Sequence, residues 1–180
     1  MTSLHPDFVY AAVAVLCALV GAVYDIKSRR VPNFLTGPAF LFGLALHASL
    51  GGWRDLRSAV LAALISGFIF LIFYLAGGMG AGDVKLIIAV ACIAGLPRVG
   101  PLLILTSLAG GVMALVLVIS RRRFKQTVSN VSELVAHHRT RGLEPHPELN
   151  VSNAGNLRLP YAVAIAAGSV LTMCLLAVKG

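Results

Sequence analysis

The sequence has few charged residues, and acidic ones are the scarcest. Charged side chains make up 12% of its 180 residues, and only seven are Asp or Glu. Ordinary soluble domains carry roughly 25% charged residues. Hydrophobic residues reach 58%, and the mean hydropathy is +0.87. This composition excludes a soluble domain and predicts an integral membrane protein. We expect one domain over residues 1–180, with a long connector at about 121–158.

Paired cysteines are also missing. Cys17, Cys92 and Cys174 each stand alone within an apolar run, and no CxxC motif occurs. Zinc sites and redox motifs usually need such pairs, so we expect no metal site and no cofactor. All three cysteines are predicted to be small, buried hydrophobic side chains.

The start of the chain lacks the basic region of a signal peptide. Met1 to Asp7 contains no Lys or Arg. Because a secretory signal begins with positive charge, the first apolar run is expected to remain as a membrane anchor.

Six apolar runs are candidate membrane spans, each of which needs about 20 apolar residues. They cover approximately residues 8–24, 34–50, 58–76, 84–96, 102–120 and 159–178. The fourth is short because Pro97 and Pro101 are expected to limit it. The predicted fold class is therefore all-α, a polytopic membrane protein of about six transmembrane helices.

Basic residues are distributed unequally between the connectors. With the N-terminus outside, eleven basic residues fall on the cytoplasmic side: Lys27, Arg29, Arg30, Lys85, Arg121, Arg122, Arg123, Lys125, Arg139, Arg141 and Arg158. Four fall outside: Arg54, Arg57, Arg98 and Lys179. The positive-inside rule then predicts a multi-pass protein of the inner (plasma) membrane with both termini outside. The same clustering favours contact with membrane lipid over binding of nucleic acid.

The long connector contains a second kind of pattern. Its apolar positions recur at helical spacing between Phe124 and His138: Phe124, Val128, Val131, Leu134 and Val135. This spacing predicts an amphipathic helix on the inner leaflet. The stretch from Arg141 to Asn156 is rich in Pro, Gly and Asn, which predicts a loop.

Two aspartates lie at the edges of apolar runs. Asp25 ends the first run, and Asp83 follows Gly80-Ala81-Gly82 and opens the fourth. A carboxylate at the edge of hydrocarbon is costly and commonly marks function. Two neighbouring carboxyl groups share one proton, so one can activate water while the other donates to a carbonyl. Alternatively each caps a helix, which suits Asp83 at a helix N-terminus better than Asp25 at a C-terminus.

The residues around the aspartates have simpler explanations as well. Pro32 is expected to stop the first helix, and Asn33 to cap the second. Gly80 and Gly82 allow another backbone to approach closely and permit positive φ. Lys27, Arg29 and Arg30 are typical of positive-inside charge.

Taken together, these motifs resemble the prepilin peptidases, a family of GxGD-type aspartic membrane proteases. The first matching pattern is Asp25, Lys27, Arg29 or Arg30, Val31, Pro32 and Asn33. The second is Gly80, Gly82, Asp83 and Lys85. Leu159-Pro160-Tyr161-Ala162 is similar to the Pro-Tyr element that opens the last span in that family. The resemblance covers nearly the whole chain.

The resemblance implies a function and roles for individual residues. Asp25 and Asp83 would be catalytic. Substrate-binding or site-shaping roles would fall to Lys27, Arg29, Arg30, Pro32, Asn33, Gly80, Gly82, Lys85, Pro160 and Tyr161. The implied substrate is a prepilin or pilin-like precursor, cut between a basic leader and a hydrophobic segment at the cytoplasmic membrane face. Lys27 and Lys85 would bind an acidic residue just past the cleavage point, or the aspartates themselves.

One segment of the full-length enzymes is absent. Type IV prepilin peptidases carry a cytoplasmic insertion with paired CxxC motifs, linked to N-methylation, whereas eight residues here separate Asp25 from the second run. The chain therefore resembles the short form that serves tight-adherence (Flp) pili, without methyltransferase activity. Archaeal preflagellin peptidases are short and similar in motif too.

Two other functions stay open on sequence grounds. A small transporter or proton-coupled carrier would use the two aspartates as relay groups. A relay favours acids near mid-span, whereas both aspartates here are expected at the cytoplasmic edge. A structural subunit of an assembly would not need the aspartates at all.

Overall fold

A computed structural model describes residues 6–121, 124–144, 146, 149 and 159–179. Those residues form six helices: α1 Pro6–Ser28, α2 Asn33–Leu75, α3 Ala81–Ala94, α4 Leu96–Ser120, α5 Phe124–Arg141 and α6 Tyr161–Lys179. Helices α1, α2, α4 and α6 are long and apolar enough to cross a membrane. The prediction of an all-α membrane protein is confirmed. Arg122, Arg123, Arg158 and most of the predicted 141–156 loop lie outside the described residues.

Helix α2 is a hairpin of two antiparallel halves. Gly52 breaks it with φ 62° and ψ −151°, a conformation that glycine adopts readily. In the first half, Asn33 lies beside Lys85, and His47 lies beside Ile93 further along α3. The second half runs the opposite way, since it starts with Ser58 bonded to Leu96, beyond the end of α3, and ends next to the loop that opens α3. The halves correspond to the second and third predicted spans.

The short helix α3 forms the centre of the bundle. Its 14 residues span about 21 Å, less than the roughly 30 Å of a bilayer core. It contacts α1, both halves of α2, α4 and α6. Every residue from Val84 to Ala94 except Lys85 and Ile88 is buried. With α2 counted as two segments, α3 supplies the fourth of the six predicted spans.

Four local predictions were wrong in whole or part. The fourth span is short, as expected, but neither Pro97 nor Pro101 limits it: α3 ends at Ala94 and α4 begins at Leu96. Pro97 lies in the first turn of α4, where N–H groups need no helical partner, and Pro101 lies inside that helix. The chain breaks instead at Gly95, with φ 79°, and Ser58 Oγ accepts the Leu96 N–H at 2.9 Å. Cys174 is exposed on α6, whereas Cys17 and Cys92 are buried as expected. The other two, on Asn33 and on the φ angles of Gly80 and Gly82, are described with the site.

The amphipathic helix predicted in the connector is present as α5. It ends at Arg141, where Gly142 takes φ 67° and its N–H bonds to the carbonyl of His138. Among the described helices, α5 contacts only α4.

A polar cluster closes the end of the bundle remote from Asp25. Arg98 is 4% exposed and forms an ion pair with Asp7. Tyr10 lies between Arg98 and His47: the guanidinium is 5.7 Å from its ring centre, and the imidazole stacks on it at 3.9 Å. The Tyr10 hydroxyl donates to Asp55 at 3.2 Å. These contacts tie α1, α2 and α4 together.

Successive segments of the bundle run in opposite directions, so the connectors after α1 and α4 lie at the same end. We expect that end to be cytoplasmic.

Accessibility labelling tests this orientation. In a Cys174→Ala background, Ser129→Cys on exposed α5 should react with a membrane-impermeant maleimide only after the membrane is permeabilised. Arg54→Cys, exposed at the hairpin turn, should react in intact cells. Labelling of Ser129→Cys in intact cells would reverse the orientation.

Candidate active site

Asp25 lies in the last turn of α1 and is buried, with 6% of its surface exposed. Its Oδ2 accepts the backbone N–H of Ala162, in the first turn of α6, at 3.3 Å. The first N–H groups of a helix lack helical partners, and this end carries the positive pole of the helix dipole. A carboxylate that is poorly placed at the end of α1 is therefore favoured by α6.

Asp83 is the third residue of α3 and lies in its first turn. Its N–H bonds to the Gly80 carbonyl at 3.1 Å, and the residue is partly buried. Its charge acts on the hydroxyl of Tyr161, the first residue of α6. The position is one that helix capping alone would also favour. Asp25 thus bonds to the first turn of α6, and the charge of Asp83 acts on a residue of that same turn.

Gly82 brings the start of α3 against the segment that follows Asp25. A Cβ atom at Gly82 would lie 3.1 Å from the Val31 carbonyl oxygen and 3.3 Å from the Val31 nitrogen. Neither Gly80 nor Gly82 has a positive φ. The expectation that these glycines adopt a backbone conformation that other residues avoid was therefore wrong. Limited space against the Val31 backbone, not backbone conformation, is what favours glycine at position 82. A Cβ at Gly80 would lie 3.2 Å from Asp83 Oδ2.

A tight turn follows Asp25. The Arg29 N–H donates to the Asp25 carbonyl at 2.8 Å, and Arg29 has φ 54°, the only positive φ among the described non-glycine residues. Ser28 Oγ donates to the carbonyls of Tyr24 and Arg30, at 2.7 and 3.0 Å. This turn ends α1 and directs Val31 towards Gly82. Lys27 and Arg30 are exposed beside it.

The expected cap at Asn33 was wrong. Pro32, in extended conformation with φ −76° and ψ 146°, precedes α2, and Asn33 is already helical. The Asn33 side chain instead accepts a hydrogen bond from Lys85 Nζ at 2.9 Å. This bond ties the start of α2 to the first turns of α3, two residues after Asp83.

Pro160 and Tyr161 open α6. The Pro160 carbonyl accepts the Val163 N–H at 3.0 Å and so starts the helix. The Tyr161 ring packs edge-on against Phe70, with 6.1 Å between ring centres. It also lies so close to Gly110 on α4 that a methyl group there would be 3.1 Å from the ring. Tyr161 is thus fixed from two sides at the start of α6.

Sequence patterns did not reveal two of these contacts. The donor to Asp25 is the backbone N–H of Ala162, and the residue type at position 162 does not indicate such a bond. The Gly110-Gly111 pair in α4 is a usable signal of close helix approach, but it does not say which helix approaches.

The site is electrostatically mixed. The two carboxyl groups lie at the end of the bundle that also carries Lys27, Arg30 and Lys85. Within the described part of the chain, no group of three or more His, Cys, Asp or Glu side chains could hold a metal ion. Carboxyl groups placed in this way could take a proton from water or give one to a substrate.

A family model matches more than half of the chain. The model of the type IV leader peptidase family matches residues 12–115, a range that includes both Asp25 and Asp83 and ends before α5 and α6. Searches of curated proteins and of solved structures found no match.

Proposed function

This chain belongs to the type IV leader peptidase family, and from that premise we propose that it is an aspartic endopeptidase. Its substrates would be prepilin-like precursors, cut at the cytoplasmic face of the inner membrane. The observation that carries the proposal is that Asp25 accepts the Ala162 N–H in the first turn of α6, while the charge of Asp83 acts on Tyr161 in the same turn. A transporter or an assembly subunit is a weaker hypothesis, because the family match is to a peptidase.

The proposed mechanism uses the two carboxyl groups as an acid–base pair. One carboxylate takes a proton from water as the oxygen attacks the scissile carbonyl carbon, and the other carboxyl group protonates the carbonyl oxygen. The tetrahedral intermediate then collapses, the C–N bond breaks and the amine leaves with a proton. No covalent enzyme intermediate forms. Each group therefore has to be in one particular protonation state before water attacks.

Two contacts and one electrostatic interaction support the view that the pair is held ready for this chemistry. The Ala162 N–H orients Asp25, Gly82 lies on Val31, and the charge of Asp83 acts on Tyr161. Preorganised groups contribute to catalysis because they need no rearrangement during the reaction.

The basic residues fit a role in substrate binding. Lys27 is exposed in the last turn of α1, and Lys85 is held by Asn33 beside α3. Both are proposed to bind an acidic residue just past the cleavage point of the precursor. The test of the whole proposal is cleavage of a co-expressed precursor by the wild type and by variants of each aspartate.

Chelators should leave activity unchanged. Since the proposed mechanism activates water with carboxyl groups alone, EDTA or 1,10-phenanthroline should not slow cleavage of a precursor in detergent extracts. The measurement is the initial rate by gel shift, before and after overnight dialysis against chelator. Loss of activity that added zinc restores would replace the two-aspartate mechanism with a metal-dependent one.

A further inference from the structure

An apolar groove lies between α4 and α5, and neither aspartate lines it. It has a volume of about 270 Å³. Three residues line it from each helix: Ala114, Leu115 and Val118 from α4, and Thr127, Val128 and Val131 from α5. Because residues on both sides of the α4–α5 connection line one groove, α5 folds back along α4 as a splayed hairpin.

The walls of the groove are poorly covered. On α5, Val128, Val131 and Val135 are 53%, 53% and 54% exposed. This exposed row lies on a helix that contacts only α4 among the described helices. Contiguous exposed apolar surface of this kind marks contact with a membrane or another partner.

The groove lies at membrane depth. Its α4 wall belongs to the last two turns of a helix that is apolar enough to span a membrane as far as Ser120. Leu115, Val116 and Ile119 on the same turns are 58%, 58% and 67% exposed. The groove therefore continues an apolar surface that faces lipid.

Charge at the mouth of the groove is of one sign. Residues 121–132 include Arg121, Arg122, Arg123 and Lys125 and no acidic residue, and the first acid that follows is Glu133. Arg121 and Lys125 are exposed at the two ends of the connection. A ligand of this site needs an apolar tail and a negatively charged head.

We propose that the groove binds an anionic phospholipid of the adjoining leaflet. One acyl chain lies between α4 and α5, and the phosphate pairs with Arg121 and Lys125. The precursor suits the groove less well, a comparison that rests on the proposed function. Tyr161 meets α4 at Gly110, so the groove begins about one helical turn beyond the site. Arg121 and Lys125 would repel the basic leader of a precursor.

Native mass spectrometry of the purified, delipidated full chain tests the proposal. Phosphatidylglycerol and phosphatidylcholine with identical acyl chains are titrated separately. Each basic side chain near a membrane surface favours anionic lipid by about fivefold in affinity, so two predict roughly 25-fold preference for phosphatidylglycerol. The double variant Arg121→Gln/Lys125→Gln should lose that preference, while Arg139→Gln, remote from the groove on α5, should keep it.

The acyl-chain part of the site is tested separately. Val128→Trp fills the groove from α5 and should abolish retention of phosphatidylglycerol, and Ala114→Leu should weaken it from the α4 side. Val116→Trp, exposed on the same helix but outside the lining, is the matched control and should bind as the wild type does. Circular dichroism checks that each variant is folded.

Equal retention of the two lipids by the wild type would overturn the proposal. So would wild-type binding by both groove-filling variants, or displacement of the lipid by a precursor peptide. Because lipid retention is measured without cleavage, these outcomes are independent of whether the chain is a peptidase.

Discussion

Asp25→Asn and Asp83→Asn are each expected to abolish cleavage of a co-expressed prepilin. Asparagine keeps the size of the side chain but can neither accept nor release the proton that the mechanism transfers. General acid–base catalysis contributes about 10²–10⁴-fold, so each variant should fall by at least that factor. The measurement is the ratio of processed to unprocessed precursor on immunoblots, at matched levels of membrane-inserted enzyme.

Asp55→Asn is the matched control for this experiment. Asp55 is also a partly buried acid with a hydrogen bond, from Tyr10, but it lies at the end of the bundle remote from the site. This variant should process the precursor as the wild type does. Loss of processing in all three variants would indicate a general effect on folding, whereas normal processing by either site variant would exclude the two-aspartate mechanism.

The double variant separates a shared role from two independent ones. Residues that act as one unit are strongly non-additive, so removal of the second carboxyl group should cost little beyond removal of the first. If the aspartates only cap helices, the double variant should instead lose stability roughly as the sum of the single variants. A thermal melt of the purified proteins measures that difference.

Much of the fold could be predicted because span length and apolar composition are local properties of the sequence. The six runs, the amphipathic α5 and the break before α3 all follow from them. The sequence did not predict which helices contact one another, or through which residues. The sequence placed Arg98 only on the outer side. Its burial against Asp7 and Tyr10 could not be predicted, because these partners come from a helix far away in the chain.

The candidate site shows the same division. The Gly-Ala-Gly-Asp stretch and Asp25 stand out because charge is scarce around them. A role for α6 in the site was predicted only from the family resemblance at Pro160 and Tyr161. The bond from Ala162 to Asp25 joins residues 137 positions apart through a backbone group, so no pattern of side chains in the sequence predicts it. The Lys85–Asn33 bond likewise overrode a local capping preference.

Gly82→Val is expected to lose activity nearly as fully as Asp83→Asn, while the protein still reaches the membrane. A Cβ at this position would already lie 3.1 Å from the Val31 carbonyl oxygen, and valine adds two further carbons. The obstacle is backbone, which cannot swing aside as a side chain can. The start of α3 must then move away from the turn that follows Asp25. A displacement of about 1 Å in a catalytic group can cost about 10²-fold in rate.

Two other glycines supply controls for this last prediction. Gly111→Val introduces the same side chain into a helix where nothing lies within 4 Å of the new Cβ, and it should leave processing unchanged. Gly80→Ala should be milder than Gly82→Val, because its Cβ would meet the end of the Asp83 side chain, at 3.2 Å, and not a backbone. The three variants are compared by precursor cleavage at equal membrane expression. Normal cleavage by Gly82→Val would show that the contact with Val31 does not hold the two aspartates together, and that glycine serves there only as a helix breaker.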